Sequence, residues 1–367
     1  MSRGTQRRTR LGLLVLFSLL GAMVIGLARP SPSWSALKML WGPNRLPNGS
    51  SAFPVYRKLG VDVLEKQLSW RVVATARPAA PGDPADPAYR WPADVDAAVS
   101  AANAAGIGMA LMVKDTPAWA NGGRSAAQVP ADVGDYADFL VAAARRYPTV
   151  HHWMIWGEPT RAGSFAPMPP HSPRGPRAYA RLLDRAYGAL KAEDRRNVVI
   201  GGMTWTLGIV DPSHFVRWMR LPNGRPPRLD DYGHNPFSTR FPRLSRVPYF
   251  PGLRDMSDVD TLDREVRRAY RGRRAPKLWL SEFAISSDHA NREFSFFVSR
   301  RDQARWLTAA YRIAAREPYI AGLGWASLLD EVGGGRFGVT TGLMTADGRR
   351  KPAFAAYERA PGAARRR

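Results

Sequence analysis

Short apolar runs alternate with helical patterns along almost the whole chain, and this alternation limits the fold more than any other feature. The runs predict eight strands, at 36–42, 61–70, 107–115, 151–158, 197–205, 228–237, 277–285 and 320–330. The helical patterns between them lie at 53–60, 93–106, 132–147, 177–194, 258–272 and 303–317. Strands that alternate with helices form parallel sheets, so we predict an α/β fold with a single (β/α)8 TIM barrel over 37–360.

The N-terminal segment predicts export. Residues 1–10 are basic, with four Arg, and residues 11–28 form an apolar run without a charge. At about 1.5 Å per residue, a helix of this run would be about 27 Å long, close to the thickness of a bilayer core. The run is longer than that of an ordinary signal peptide, although Ala28 offers a cleavage position. We expect an uncleaved transmembrane anchor or, second, a cleaved signal helix.

Basic residues before an apolar span favour a cytoplasmic N-terminus, which puts the remainder of the chain outside the cytoplasm. A Pro/Ser-rich linker at 29–36 precedes the barrel, and a basic tail at 361–367 follows it. We therefore expect an exported protein that is anchored to the cell membrane, or secreted.

Two compositional features exclude whole classes of site. The chain has no Cys, so it can form neither a disulfide nor a thiolate metal site, and a cysteine nucleophile is excluded. The six His are not spaced like zinc ligands, and we expect neither a metal nor another cofactor.

The formal charge of +23 invites a nucleic-acid or membrane-surface interpretation. Only seven of the 54 basic residues are Lys, and Arg is spread along the whole chain rather than gathered in one stripe. This pattern is typical of a compositional bias, so we expect no nucleic-acid partner. A basic surface protein that binds an acidic polymer stays as an alternative.

Two glutamates close apolar runs that are far apart in sequence. Glu158 lies in "HHWMIWGEPT" and Glu282 in "KLWLSEFAIS", at the ends of predicted strands 4 and 7. Catalytic residues of TIM barrels lie at the carboxyl ends of the strands. Strand alternation predicts that Glu158 shares a face with Met154 and Trp156, and that Glu282 shares one with two leucines, 278 and 280.

If both faces are the barrel interior, two carboxyls meet in one cavity. A pair of acids that flank a sugar bond is the minimum requirement for glycoside hydrolysis. The alternative for each glutamate is a structural acid, which for Glu158 means an ion pair with an Arg.

Further side chains at predicted strand ends could bind a glycan. Aromatic rings pack well on the C–H faces of sugars, and four Trp are candidates, although each could instead belong to the core. His234 and Asn235 follow strand 6 and could hydrogen-bond the sugar or Glu282. The Trp candidates are Trp119, Trp156, Trp205 and Trp325.

The motifs "WGEP" and "SEFA", with "TPAWA" at 116–120, "HNPF" at 234–237 and "GLMTADGRRKPAFAAY" at 342–357, resemble those of a known group. The chain is similar to the clan A retaining glycoside hydrolases, most of all to family 39 and related enzymes that cut exopolysaccharide. The resemblance implies that Glu158 is the general acid/base and Glu282 the nucleophile. It also implies double displacement on a cell-surface or extracellular polysaccharide.

A retaining mechanism implies carboxyls about 5 to 5.5 Å apart. It also implies that Glu158 has the higher pKa, because it must donate a proton.

Three positions depart from the group's pattern. Gly157 replaces an Asn that binds the sugar 2-hydroxyl, and Phe237 stands where Tyr is commoner. Strand 2 offers Glu65, Lys66 and Gln67 where an Arg usually supports the nucleophile. A barrel that binds glycan without cleaving it is therefore an alternative to the enzyme.

Overall fold

Eight parallel strands close into a barrel, as predicted. The computed structural model describes residues 36–291, 294–331 and 338–362. The strands are β1 (Leu37–Trp41), β2 (Val63–Ser69), β3 (Gly108–Lys114), β4 (His152–Ile155), β5 (Val198–Trp205), β6 (Asp231–Asn235), β7 (Lys277–Phe283) and β8 (Ile320–Ala326). Each strand pairs in parallel with the next, and β8 closes the barrel onto β1.

Helices connect the strands on the outside of the barrel. They are α1 (Phe53–Leu59), α2 (Trp70–Val73), α3 (Ala93–Ala105), α4 (Ala118–Asn121), α5 (Val133–Arg146), α6 (Arg174–Glu193), α7 (Pro212–Trp218), α8 (Val259–Ala269), α9 (Arg300–Arg316) and α10 (Pro352–Arg359). All the predicted helices are present. The short helices α2, α4 and α7 were not predicted, because four to seven residues are too few to show a helical period.

Local chemistry fixes several helix ends. The Asp132 carboxylate accepts a hydrogen bond from the Gly134 N–H at 2.7 Å and caps α5. The Ser299 hydroxyl accepts one from the Asp302 N–H at 3.1 Å and caps α9. Helix α3 ends at Gly106, whose φ of 67° lies in the left-handed region, as the sequence predicted.

Apolar side chains pack in two layers. The interior cluster fills the lower part of the barrel, and the outer core lies between the strands and the helices. The interior cluster is formed by Met39, Val63, Ala110, Met112, Met154, Ile200, Met203 and Trp279.

The predicted membrane span at 11–28 lies outside the described residues, as do the basic segment before it and most of the linker and of the C-terminal tail. Among the residues that the structure does describe, no helix combines the length and apolar character needed to cross a bilayer.

Candidate active site

Glu158 lies just beyond the end of β4. The strand stops at Ile155, three residues earlier than predicted, and Trp156 and Glu158 then take positive φ values of 68° and 44°. This turn breaks the alternation of side chains. Met154 belongs to the interior cluster and Trp156 to the outer core, so the predicted shared face of these residues with Glu158 is wrong.

Glu282 lies near the end of β7, and its predicted shared face is also wrong. Leu278 and Leu280 pack in the outer core, whereas Trp279 belongs to the interior cluster. The register of β7 against β8 shifts next to Glu282, between the pairs Leu280–Leu323 and Phe283–Trp325. Such an irregularity re-aims side chains at a barrel rim, which accounts for the position of Glu282.

The two carboxyls nevertheless meet. Glu158 and Glu282 both line a cavity of about 590 Å³ at the carboxyl ends of the strands, which we call the first cavity. Trp205, at the end of β5, and side chains from the loops that follow β4, β6 and β7 complete much of its wall. The loop side chains include Arg161, Phe237, Tyr249, Phe294 and Phe296.

Asn235, at the end of β6, connects the two acids. Its Nδ2 donates to Oε1 of Glu158 at 2.9 Å, and its Oδ1 accepts from the backbone N–H of Glu282 at 3.2 Å. One amide thus fixes both the Glu158 side chain and the strand segment that carries Glu282. The predicted position of Asn235 beside the acids agrees with this contact.

Positive charges lie near both acids. Arg161 Nη1 is 3.3 Å from Oε2 of Glu158, which is the ion pair that the structural alternative for Glu158 requires. The other oxygen of Glu158 is held by Asn235. The ammonium of Lys114, at the end of β3, also exerts a favourable charge interaction on Glu282.

Burial raises the pKa of Glu282 to about 8, and the negative charge of Glu158 adds to this, while Arg161 and Lys114 oppose it. The resemblance implied a raised pKa for the other acid of the pair, whereas the raised pKa in the structure is that of Glu282. Near neutral pH, the structure therefore favours a single proton on the Glu158–Glu282 pair.

Glu65 lies in the barrel interior, below the first cavity. Its Oε1 accepts hydrogen bonds from Trp279 Nε1 at 3.1 Å and from the Ser281 hydroxyl at 3.0 Å. Its Oε2 has no hydrogen-bond partner among the described residues. Burial raises the pKa of Glu65 well above its usual range, and the charge of Glu282 adds to the shift. Both effects favour the protonated, neutral form of this strand 2 acid.

The side chain of Met112 packs against Gly157. A Cβ on Gly157 would lie only 2.6 Å from Met112 Sδ and 3.6 Å from the Lys114 side chain. The thioether therefore occupies the space through which an Asn side chain would have to pass. Gly157, in place of the Asn of the similar family, therefore changes the packing at the rim of the interior cluster and also removes an amide.

Trp205 is the predicted tryptophan that lines the first cavity. It is partly exposed, and the Arg161 guanidinium lies 5.6 Å from its ring centroid. Its backbone N–H donates to the Thr160 hydroxyl at 3.1 Å, which ties the loops after β4 and β5 together. A sugar could stack on its ring.

The other three tryptophans are placed in packing around the barrel. Trp156 and Trp325 are fully buried, and their indole N–H groups donate to the carbonyls of Ser164 and Thr341 at 2.8 and 2.9 Å. Trp119 donates to the Ala74 carbonyl at 2.8 Å, which supports the loop after β2. These rings do not line the first cavity, because the strand-end position alone does not determine which side of the strand they take.

His234 is placed below the cavity surface. Its Nδ1 is 2.8 Å from the Thr204 hydroxyl and its Nε2 is 2.8 Å from the Arg254 carbonyl. Burial lowers its pKa to about 4, so the ring is neutral at neutral pH. Both ring nitrogens are engaged, and His234 fixes the end of β6 instead of reaching the cavity.

Sequence reasoning missed the aromatic side chains on the long loops. Tyr249, Phe294 and Phe296 line the first cavity, from the loops that follow β6 and β7. Tyr249 is 60% exposed, and the Arg240 guanidinium lies 5.1 Å from the centroid of its ring. The signal was present as "PYF" and "FSFF", aromatic clusters in segments without strand or helix periodicity.

Among the described residues, no three His, Asp or Glu side chains are grouped closely enough to hold a metal ion. Besides Glu158, Glu282 and Arg161, the polar side chains that line the first cavity include Asp255, Asn291 and Glu331.

Several solved structures are similar to this chain. A family 39 glycoside hydrolase from Bacteroides cellulosilyticus WH2 has a TM-score of 0.65 and 19% identity, with 89% of this chain and 64% of that chain covered. A glucosidase from Croceicoccus marinus has a TM-score of 0.64 and 17% identity, with 88% and 65% covered. A family 39 enzyme from Xanthomonas axonopodis pv. citri has a TM-score of 0.59 and 18% identity, with 88% and 65% covered.

The chain spans less than two thirds of the length of each of these three structures. No protein-family model matches the chain, and no curated protein sequence matches it. Identities below 20% show the fold alone. In fold, the chain therefore resembles the family 39 glycoside hydrolases, as the motifs indicated.

Proposed function

We propose that this protein is a retaining glycosidase in which Glu282 is the nucleophile and Glu158 the general acid/base. The observation that carries the proposal is that two electrostatically coupled glutamates, from the ends of β4 and β7, line one cavity. A glycosidic bond needs such a pair for its hydrolysis. The likeness in fold to glycoside hydrolases supports the proposal.

In the proposed cycle, the Glu282 carboxylate attacks the anomeric carbon while Glu158 gives its proton to the leaving oxygen. The bond from the anomeric carbon to the leaving oxygen breaks, and an ester between the sugar and Glu282 forms. Glu158, now ionised, takes a proton from water, and the resulting hydroxide attacks the anomeric carbon. The sugar is released, Glu282 returns to its carboxylate, and Glu158 is protonated again.

This cycle needs the shared proton on Glu158, although burial favours it on Glu282. Positive charge develops on the sugar ring in the transition state and stabilises an ionised Glu282 beside it. The Asn235 amide holds the Glu158 carboxyl in place through the change, since an amide oxygen or nitrogen can pair with either protonation state.

The proposed substrate is a cell-surface or extracellular polysaccharide. The aromatic rings at the mouth of the first cavity suit the C–H faces of sugar units on both sides of the cleaved bond. Export through the apolar run at 11–28, with the barrel outside the cytoplasm, would bring the protein to such a polymer.

Mass spectrometry after exposure to a panel of 2-fluoro glycosides tests the proposal. These reagents form the covalent intermediate and then turn over slowly, so a retaining enzyme gains the mass of one fluorosugar on Glu282. The Glu282→Gln variant is the matched control and should gain none. An adduct on another residue, or no adduct while aryl glycosides are hydrolysed, would contradict the assignment.

A second candidate function is a barrel that binds glycan without cleaving it. Gly157 and Met112 favour it, because they remove the amide that contacts the sugar 2-hydroxyl in the similar family. Glycan binding without turnover on any aryl glycoside would support this candidate. Turnover that is gained when Met112→Ala and Gly157→Asn are combined would locate the defect at these two residues.

A further inference from the structure

A second cavity of about 390 Å³ lies between α7 and α8 and is lined by three arginines. Arg217 and Arg220 come from the end of α7 and the residues after it, and Arg268 comes from α8. Ser213, His214 and one acid, Glu265, complete its polar lining.

The one acid in this lining is already engaged. Glu265 Oε2 accepts from Arg254 Nε at 3.0 Å, and its Oε1 accepts from the same guanidinium and from the Ser213 hydroxyl. The charge of Glu265 is therefore offset by Arg254. Within the described part of the chain, none of the three lining arginines has a carboxylate partner, and the second cavity is positively charged.

Arg220 is half-buried, although no anion neutralises it. Its Nη1 donates to the carbonyls of Val216 and Met219 at 3.2 and 3.0 Å, which caps the C-terminus of α7. A guanidinium that is removed from water without an anion is unfavourable. Capping accounts for Arg220 alone. The Arg217 guanidinium lies 5.6 Å from the centroid of the Trp218 ring, and Arg268 reaches the same cavity from α8.

One loop separates the two cavities. Tyr249 and Leu253 line the first cavity, and Pro251 and Gly252, from the same stretch, line the second. Gly252 has a φ of 88°, and a Cβ there would lie 2.3 Å from the side chain of Asp211, the N-cap of α7. The loop therefore packs closely against α7 and forms part of the lining of both cavities.

We propose that the second cavity binds the carboxylate of an acidic sugar in the same polysaccharide chain that occupies the first cavity. A guanidinium pairs with a carboxylate through two parallel hydrogen bonds. The apolar lining by Val216 and Ala269 suits the C–H face of a sugar ring. The choice of a sugar acid as the anion rests on the proposed glycosidase function, whereas the positive cavity does not.

Calorimetric titration of the full chain in mild detergent tests this binding. The Glu282→Gln background prevents turnover, and the ligands are pentagalacturonate, the neutral cellopentaose and inorganic sulfate. The test variant combines Arg217→Gln with Arg268→Gln, both at exposed positions. The matched control is Arg57→Gln, which removes an exposed charge from α1 on another part of the barrel, and melting curves establish that each variant is folded.

We expect the test variant to bind pentagalacturonate about tenfold more weakly, as the loss of charge-assisted hydrogen bonds implies, and Arg57→Gln to leave its affinity unchanged. Cellopentaose should bind equally to all. Equal weakening in Arg57→Gln would assign the binding to the overall charge and overturn the proposal. Sulfate binding with the same arginine dependence but no pentagalacturonate binding would also overturn it.

Failure of the glycosidase and failure of this site give different results. If 2-fluoro glycosides leave no adduct but pentagalacturonate binding depends on Arg217 and Arg268, the second cavity stands without the catalytic function. If the adduct forms but pentagalacturonate does not bind, the glycosidase stands and the acidic-sugar site falls.

Discussion

Glu65, which is buried, and Glu282, which is half-buried, are two acids of the barrel that share one electrostatic problem. Burial raises the pKa of both carboxyls, and the charge of Glu282 adds to the shift of Glu65. They differ in their surroundings. Glu65 is enclosed in the interior, with hydrogen bonds from Trp279 and Ser281, whereas Glu282 lines an open cavity beside Glu158 and two cations.

A raised pKa alone therefore does not identify a catalytic acid. Glu65 cannot reach a substrate, because its side chain has no exposure to solvent. Glu282 combines its shift with access and with a second acid, and this combination makes chemistry possible.

The largest difference should be in turnover. We expect Glu282→Gln to lower kcat on aryl glycosides by at least about a thousandfold, because no ester can form. The nearly isosteric change Glu65→Gln, one layer below, should lower it by less than about tenfold. Steady-state rates on one aryl glycoside measure both. Equal losses in the two variants would mean that the barrel interior, not a nucleophile, limits turnover.

Glu158→Gln should show an effect that depends on the leaving group. Loss of a general acid costs about 10²- to 10⁴-fold on a substrate whose leaving group needs a proton. A dinitrophenyl glycoside needs none and should react in the variant at close to the unmodified rate of the glycosylation step. The ratio of kcat/KM for the two substrates measures this. A ratio that does not change on mutation would remove the acid role from Glu158.

The pH profile should follow the shared proton. A singly protonated pair is the active form, so kcat/KM on a poor leaving group should fall above about pH 8, where the pair loses its last proton. In Glu158→Gln, assayed on a dinitrophenyl glycoside, this alkaline fall should be absent. Only a rise of kcat/KM with pH should remain, centred below pH 8, because the neutral amide of the new Gln side chain, unlike the Glu158 carboxylate, does not raise the pKa of Glu282. An unchanged alkaline fall in the variant would exclude the coupling.

The sequence predicted the barrel and the pair of acids because both depend on local patterns. Eight apolar runs with helices between them determine the barrel. The carboxyl ends of the strands lie at one face of the barrel, so a glutamate at such an end lies near that face. The alternation of side chains along a strand did not predict which side of the barrel wall Glu158 and Glu282 take. The φ values after Ile155 and the register shift beside Glu282 override the period of two.

The side chains that form the wall of the first cavity were less predictable than the two glutamates. Trp156, Trp325 and His234 are residue types that often bind sugars. In this protein, Trp156 and Trp325 pack in the outer core, and His234 contacts the Arg254 carbonyl from the end of β6. The aromatic wall comes from long loops, whose course no period in the sequence determines. The contact of Met112 with the Gly157 position joins residues 45 apart, and only packing in three dimensions reveals it.

The smallest effect should be on thermal stability, and Glu65 and Glu282 should both contribute to it. Each has a folded-state pKa above its unfolded value, so the folded protein retains a proton that the unfolded chain releases. This contribution to stability is full below about pH 4.5 and is lost as the pH rises towards the folded-state pKa. We therefore expect Glu65→Gln and Glu282→Gln each to raise Tm relative to the unmodified protein by more at pH 8 than at pH 4.5, by a few degrees. Melting curves at the two pH values measure the difference. A pH-independent change for Glu65→Gln would mean that this acid is ionised in the folded protein, and the two carboxyls would then differ in charge as well as in access.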